Sequence, residues 1–399
     1  MNYRVVFVLL GLLTFGTPLA AQAASLEVSG WIPYWRTATG TADTMAHLNA
    51  FTTINPFGYT MKGDGTLFDA AKITQEPWVS LIAAAKVKKI RVIPTVMWGN
   101  GAAIDATLRD ATKRRALEDQ ITAAVNDNNF DGIDIDFEAK LSDTKAYFSL
   151  FIKGLSQRLG SKKWLYCTIE ARMPVSSRYE GKPPADATQY ANDYVVLNKY
   201  CDRVNIMAYD QGSIDVKLNK ISVGPYVPVA DPLWVEKVLK LAAQTISKKK
   251  LVLGVPTYGY EYAVTPQGGG YKYDVQWAFN PKYGLSLATA LGVYPVRNQA
   301  GELSFSYVRS ALPQSTLDAA ALGNVNVNGG IIEMASTSVA QSAAQPSSTQ
   351  PFNIVWWSDA QAIKDKVALA KKLGVRGIAI FKIDGGEDPK MWSVLPKVR

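Results

Sequence analysis

A chain of 399 residues, 48% of them hydrophobic, can build a large core, and 43 basic against 34 acidic residues leave a formal charge of +9. The basic residues are scattered, with Lys248 to Lys250 the longest run, and no RNA-binding or helix-turn-helix pattern accompanies them, so no nucleic-acid partner is expected; a diffuse positive surface suits solubility or an anionic wall polymer. His47 is the only histidine, which argues against a Ser-His-Asp triad, a Cys-His pair or a zinc site built on imidazole.

Residues 1–23 read as an export leader: Arg4, the apolar run VVFVLLGLLTFG, then the small residues AQAA with cleavage expected after Ala23. The run is shorter than the ~20 residues a membrane span needs. A retained anchor is the competing reading, and the expected product is a secreted or periplasmic mature chain, 24–399, without a stable membrane span. Cys167 and Cys201 fall in or beside predicted strands, where a bridge and two buried thiols are both compatible with the sequence.

Eight Val- and Ile-rich runs follow, bounded by Gly, Pro, Asn or Asp as strands are. They are 26–35, 50–57, 89–98, 130–138, 163–171, 202–210, 250–260 and 375–384. Between most of them lie segments with apolar residues at helical spacing: WVSLIAAAKVKK, RALEDQITAAVND, TKAYFSLFIKGLSQRL, WVEKVLKLAAQTI and DAQAIKDKVALAKKL. Strand alternating with helix predicts an α/β fold with a parallel sheet, and eight strands predict a closed (β/α)8 barrel. The competitor is an open doubly wound sheet; no glycine-rich turn after the first strand supports a dinucleotide version of it. More than a hundred residues separate the last two strands, which predicts a small α+β insertion over 261–352, between strand seven and the last helix. It contains GGYKYDVQW, ELSFSYV and GGIIEMA, and ends in the low-complexity loop STSVAQSAAQPSSTQP (336–351).

The fourth run, FDGIDIDFE, carries the chemistry. Side chains of a strand alternate between faces. Asp134, Asp136 and Glu138 therefore share one face and Ile133, Ile135 and Phe137 the other, with Glu138 at the carboxyl end, where barrel active sites are built. Carboxylates crowded in a dry site cannot all ionise, so one retains a proton and can act as a general acid. An exposed strand with one wet face is disfavoured inside a βα repeat, where both faces are covered. A calcium loop would need glycine where Ala139 stands and glutamate where Lys145 stands. No metal or cofactor is expected.

DGIDIDFE resembles the D-x-x-D-x-D-x-E signature of glycoside hydrolase family 18, the chitinase-like barrel enzymes. MAYD (207–210), LVLGVPTYGY and GIAIFKIDGGED resemble its sixth, seventh and eighth strands, so the resemblance spans the mature chain. GWIPYW, INPF and GPYVPVADPLWVEKVL are most similar to the bacterial branch with spore-cortex and cell-wall lytic members, without the LysM modules those often carry. The resemblance implies a retaining glycosidase on N-acetylglucosamine-containing polymers, chitin or peptidoglycan, that works through the substrate's own 2-acetamido oxygen. Glu138 would be general acid and then base. Asp136 would hold the acetamido N–H, Asp134 would share a proton with Asp136, and Tyr209 would hydrogen-bond the acetamido carbonyl. Asp131 would be structural, and Asp210 would bind sugar hydroxyls. Trp35, Trp98, Tyr258, Trp357 and Phe381, at or near strand ends, are candidates to cover the apolar faces of sugars. Phe381 departs from the family's usual tryptophan, and Phe137 from its usual Trp or Tyr. A monomer is expected. The alternative is a catalytically silent carbohydrate binder on the same barrel; such relatives typically lose the terminal glutamate, which is present here as Glu138.

Overall fold

The computed structural model describes residues 25–308 and 350–398, so the expected leader and most of the low-complexity loop lie outside the described residues. Its strands are β1 (Glu27–Pro33), β2 (Thr53–Met61), β3 (Leu67–Asp69), β4 (Arg91–Val92), β5 (Thr95–Trp98), β6 (Gly132–Phe137), β7 (Trp164–Glu170), β8 (Arg203–Met207), β9 (Leu251–Pro256), β10 (Gly259–Gln267), β11 (Gly270–Phe279), β12 (Val296–Arg297), β13 (Leu303–Tyr307), β14 (Phe352–Trp357) and β15 (Gly377–Phe381). In the order β1, β2, β4/β5, β6, β7, β8, β9, β15 they pair in parallel, and β15 returns to β1 to close an eight-strand barrel. Each expected run supplies one barrel strand.

The ends differ from expectation for local reasons. Pro94 has no N–H to give, and the third barrel strand is interrupted there, between β4 and β5. The first strand stops at Pro33, and Tyr34–Arg36 form a 3-10 turn. The seventh stops at Pro256, whereas Tyr260 was expected within it. From Gly259 the chain joins a second, antiparallel sheet of order β11-β10-β14-β13-β12. Gly259 permits that change of sheet, because a Cβ there would lie 2.3 Å from the Trp356 carbonyl oxygen. Among the described residues, this sheet and the helix Pro281–Leu291 make up the α+β insertion, which begins earlier and ends later than 261–352.

Helices Trp78–Val87, Ala111–Asp127, Lys145–Leu159, Pro232–Ala242 and Ala360–Leu373 cover the barrel. Asp110, Asp231 and Asp359 cap three of them through their side chains. The amino end of the barrel is closed by charge: Glu27 of β1 receives a paired contact from Arg203 of β8 (2.6 and 2.7 Å) and a third from Arg376 (2.8 Å). Burial works against the Glu27 carboxylate, but the two guanidiniums outweigh it and hold its pKa below the usual value.

Cys167 of β7 and Cys201, just before β8, are both fully buried and form a disulfide closing 34 residues. Replacing both by serine is expected to lower unfolding free energy by roughly 2–4 kcal/mol, the usual worth of a loop of this size. Urea titration of the variant beside the oxidised parent measures it.

Candidate functional site

The ladder on β6 is built as the alternation requires. Ile133, Ile135 and Phe137 are fully buried on the outer face, where Phe137 stacks on Phe151 of the covering helix at 5.4 Å. Asp134 and Asp136 point into the barrel at 0% and 3% exposure, and Glu138 stands half-buried directly after the strand. Asp131, out of phase, accepts the Val92 N–H (2.8 Å) and ties β4 to the start of β6.

Asp134 is surrounded by donors. Trp31 of β1 reaches its Oδ2 through the indole N–H (2.9 Å), Thr95 donates to the same oxygen (2.9 Å), and Thr168 to Oδ1 (2.7 Å). The Thr168 hydroxyl accepts from Asn205 (3.1 Å), so its own hydrogen is directed at Asp134. Burial raises the Asp134 pKa above the ordinary carboxyl value, and these three donors offset only part of that rise. Asp136 has no such set: its Oδ1 is buried without a partner among the described residues. Burial, then the charges of Glu138, Asp134 and Glu170, push its pKa well above the ordinary carboxyl value. Negative charge therefore settles at the bottom of the ladder and the proton above it. Burial first, then Glu170 and Asp210, raise Glu138 to about 8, with Lys140 opposing.

Tyr209 follows β8, and its hydroxyl has no hydrogen bond among the described residues. Its ring stacks on Phe381 (5.6 Å, 14°) and sits where Gly254 leaves room, since a Cβ on that glycine would lie 2.8 Å from the Tyr209 ring. Asp210 is half-buried with φ +56°, and its Oδ1 accepts from Tyr258 (2.5 Å) and Tyr260 (2.7 Å). Burial raises its pKa to about 6 against those two donors. Ala139, next to Glu138, is also left-handed (φ 53°). Non-glycine residues seldom adopt this region, and such strain gathers at functional sites.

The aromatic candidates separate. Phe381 ends β15 within a cluster that includes Tyr209, Tyr258, Trp31 and Phe57. Tyr258 is fully buried and bound to Asp210, and half-buried Trp35 packs edge-on to Phe57 (5.6 Å) just after β1. Two expectations need correction. Trp98 is in register with Phe137, not with the acids, and packs on Phe137 at 5.5 Å and 90° on the helix side. Met97 is the residue that shares the face of Asp136. Trp357 is 1% exposed and belongs to the insertion's own core with Phe279 and Phe305.

Sequence reasoning passed over Trp31, Thr95, Thr168, Tyr260, Lys140 and Glu170. Glu170 ends β7 as Glu138 follows β6; it accepts the Ala139 N–H (3.0 Å) and lies 3.6 Å from the Lys140 ammonium. Its place at a strand's carboxyl end was the available signal. Tyr260 stands two residues beyond Tyr258 in the quoted seventh strand.

The model of the family described as Glycosyl hydrolases family 18 matches residues 30–386. The glycosylase YvbX of Bacillus subtilis (strain 168), uncharacterised, is 22% identical over 366 residues, which cover 90% of this chain and 89% of that protein. A cortical fragment-lytic enzyme of Bacillus cereus is 24% identical over 360 residues, 87% of this chain and 70% of the relative. Among solved structures, a class V chitinase of Pseudomonas fluorescens Pf-5 has a TM-score of 0.67 at 20% identity, covering 93% of this chain and 98% of its own; this likeness speaks for the fold.

A carboxyl that binds its proton more tightly when folded loses stability as pH rises from the unfolded pKa, about 4.3, toward the folded value of about 8. Glu138→Gln removes that loss. The variant is expected to melt higher than the parent, by about 2 °C or more, with the gap widening from pH 5 to 8 in calorimetric scans.

Proposed function

The chain belongs to glycosyl hydrolase family 18, and from that premise we propose that it cleaves β-1,4 bonds of N-acetylglucosamine-containing glycan, with peptidoglycan strands favoured over chitin. The observation that carries the reading is the ladder: an acid with a raised pKa at the strand end, above a carboxyl whose buried oxygen lacks a partner among the described residues. Similarity to a cortical fragment-lytic enzyme and the positive net charge support the choice of wall glycan.

In this reading Glu138 protonates the departing glycosidic oxygen. The substrate's acetamido oxygen attacks the anomeric carbon and gives an oxazolinium ion, the substrate-assisted exception to the two-carboxylate rule. The unpartnered Asp136 oxygen takes the acetamido N–H as its proton shifts toward Asp134, so that negative charge faces the growing positive one. The Tyr209 hydroxyl binds the acetamido oxygen, and Asp210, held by its two tyrosines, binds sugar hydroxyls. Glu138, now anionic, activates the water that opens the oxazolinium ion with retention. Phe381 and Trp35 offer ring surface to the sugars. Export to the wall is supported by the buried disulfide, a bond favoured in oxidising compartments. No helix among the described residues is long and apolar enough to cross a membrane.

Glu138→Gln is expected to lower kcat on chitin oligomers and peptidoglycan glycan by at least ~10², with oligosaccharide binding retained. Mass identification of products from both substrates measures it; parent-like turnover would contradict the acid role. The general acid must be protonated, so kcat/KM of the parent is expected to fall as pH rises through about 8.

A further inference from the structure

Beyond Glu170 the chain leaves the barrel and returns as the helix Tyr194–Tyr200. A cavity of about 430 Å³ opens in this excursion, lined in part by Lys140, Glu170, Arg172, Arg178, Gln189 and Asn192. It adjoins the ladder through one shared carboxylate: Glu170 accepts the Ala139 N–H on one oxygen and the Asn192 side-chain amide (2.9 Å) on the other. Lys140, two residues beyond Glu138, is the first residue after the ladder to line it.

Its charge is unbalanced. Lys140 is already engaged, by Glu170, the Phe137 carbonyl and the ring of Phe148 at 4.8 Å. The two arginines have no carboxylate partner among the described residues. Arg172 is clamped between the rings of Tyr190 (3.6 Å) and Tyr194 (4.0 Å) and donates once, to the Asn192 carbonyl (2.8 Å). Arg178 is exposed, and its guanidinium lies 5.9 Å from the ring of Tyr179. A guanidinium fixed between two rings loses little freedom on binding, and its fork matches a carboxylate. Asn192 adds an acceptor: its Oδ1 is buried at 8% residue exposure with no donor among the described residues, so it calls for a hydroxyl or amide N–H.

Building on the glycan reading above, we propose that this cavity binds a carboxylate carried by a sugar beside the one being cleaved, with Arg172 and Arg178 on the anion and Asn192 on a neighbouring O–H or N–H. Chitin has no such group. The muramyl sugar of peptidoglycan has a lactyl ether ending in a carboxylate, either free or extended into a peptide with carboxylates of its own. The cavity thus selects wall glycan over chitin.

The test compares the full chain with Arg178→Glu and Arg172→Gln on chitin oligomer, peptide-free muramyl saccharide and peptide-bearing glycan, reading kcat/KM and calorimetric binding. Arg178→Glu, an exposed change, is expected to lower kcat/KM on an anionic glycan about tenfold and on chitin oligomer by less than about twofold. Loss on the peptide-free saccharide identifies the lactyl carboxylate; loss confined to peptide-bearing glycan identifies the peptide's. Equal loss on chitin and both anionic glycans, or no loss on either anionic glycan with both variants, overturns the proposal. Should the parent cleave none of the three, the glycosidase reading fails and binding alone decides. Tighter parent binding of the anionic saccharide, erased by Arg178→Glu, then supports the cavity; equal binding of charged and neutral saccharides overturns it.

Discussion

Three carboxyl groups stacked inside a closed barrel constrain everything around them. Burying Asp134, Asp136 and Glu138 as anions would be costly, so protons and donors have to be supplied. The barrel supplies donors only at the bottom rung. Trp31 comes from β1, Thr95 from β5 and Thr168 from β7, and all three end on Asp134. Asp136 has no such set among the described residues, and burial with mutual repulsion raises the pKa values of the upper rungs. An asymmetric supply of donors is thus what turns a row of like acids into a graded set.

The two ends of the barrel handle charge in opposite ways. At the amino end, Glu27 meets Arg203 and Arg376 in a compensated cluster that ties β1, β8 and β15 together. At the carboxyl end, burial and then the charges of Glu170 and Asp210 raise the pKa of Glu138, with Lys140 in opposition. Conserving stability at one end and storing electrostatic tension at the other is the division expected of this fold. The insertion takes part in the second. Tyr258 and Tyr260 flank the point where the chain passes from β9 into the inserted sheet, and both fix Asp210. That sheet is anchored in turn by Glu302, which receives the Val229 and Ala230 N–H groups and the Trp356 indole, and by Asn280, which binds Asp384 of the eighth-strand segment.

Much of this was legible because barrel strands are buried on both faces and read as apolar runs. The ladder was legible because its acids keep a period of two. What escaped depends on register between strands, which a single sequence does not carry. Trp98 and Met97 exchange faces according to how β5 aligns with β6 beyond the break at Pro94, and the alignment gives the inner face to Met97. Trp31, Thr95 and Thr168 look like ordinary strand residues until three separate strands bring them to one carboxyl. Trp357 misled because a segment inside an insertion can serve that insertion's own core. Cys167 and Cys201 were compatible with either redox state until the packing of β7 against β8 placed them together.

The central claim is that the uppermost acid holds its proton near neutrality. Carboxyl-selective ¹³C NMR over pH 3 to 10, on parent and Glu138→Gln chains, tests it without any substrate. The account predicts a glutamate resonance titrating near pH 8, absent from the variant. A parent spectrum without a resonance near pH 8 that Glu138→Gln removes would contradict it.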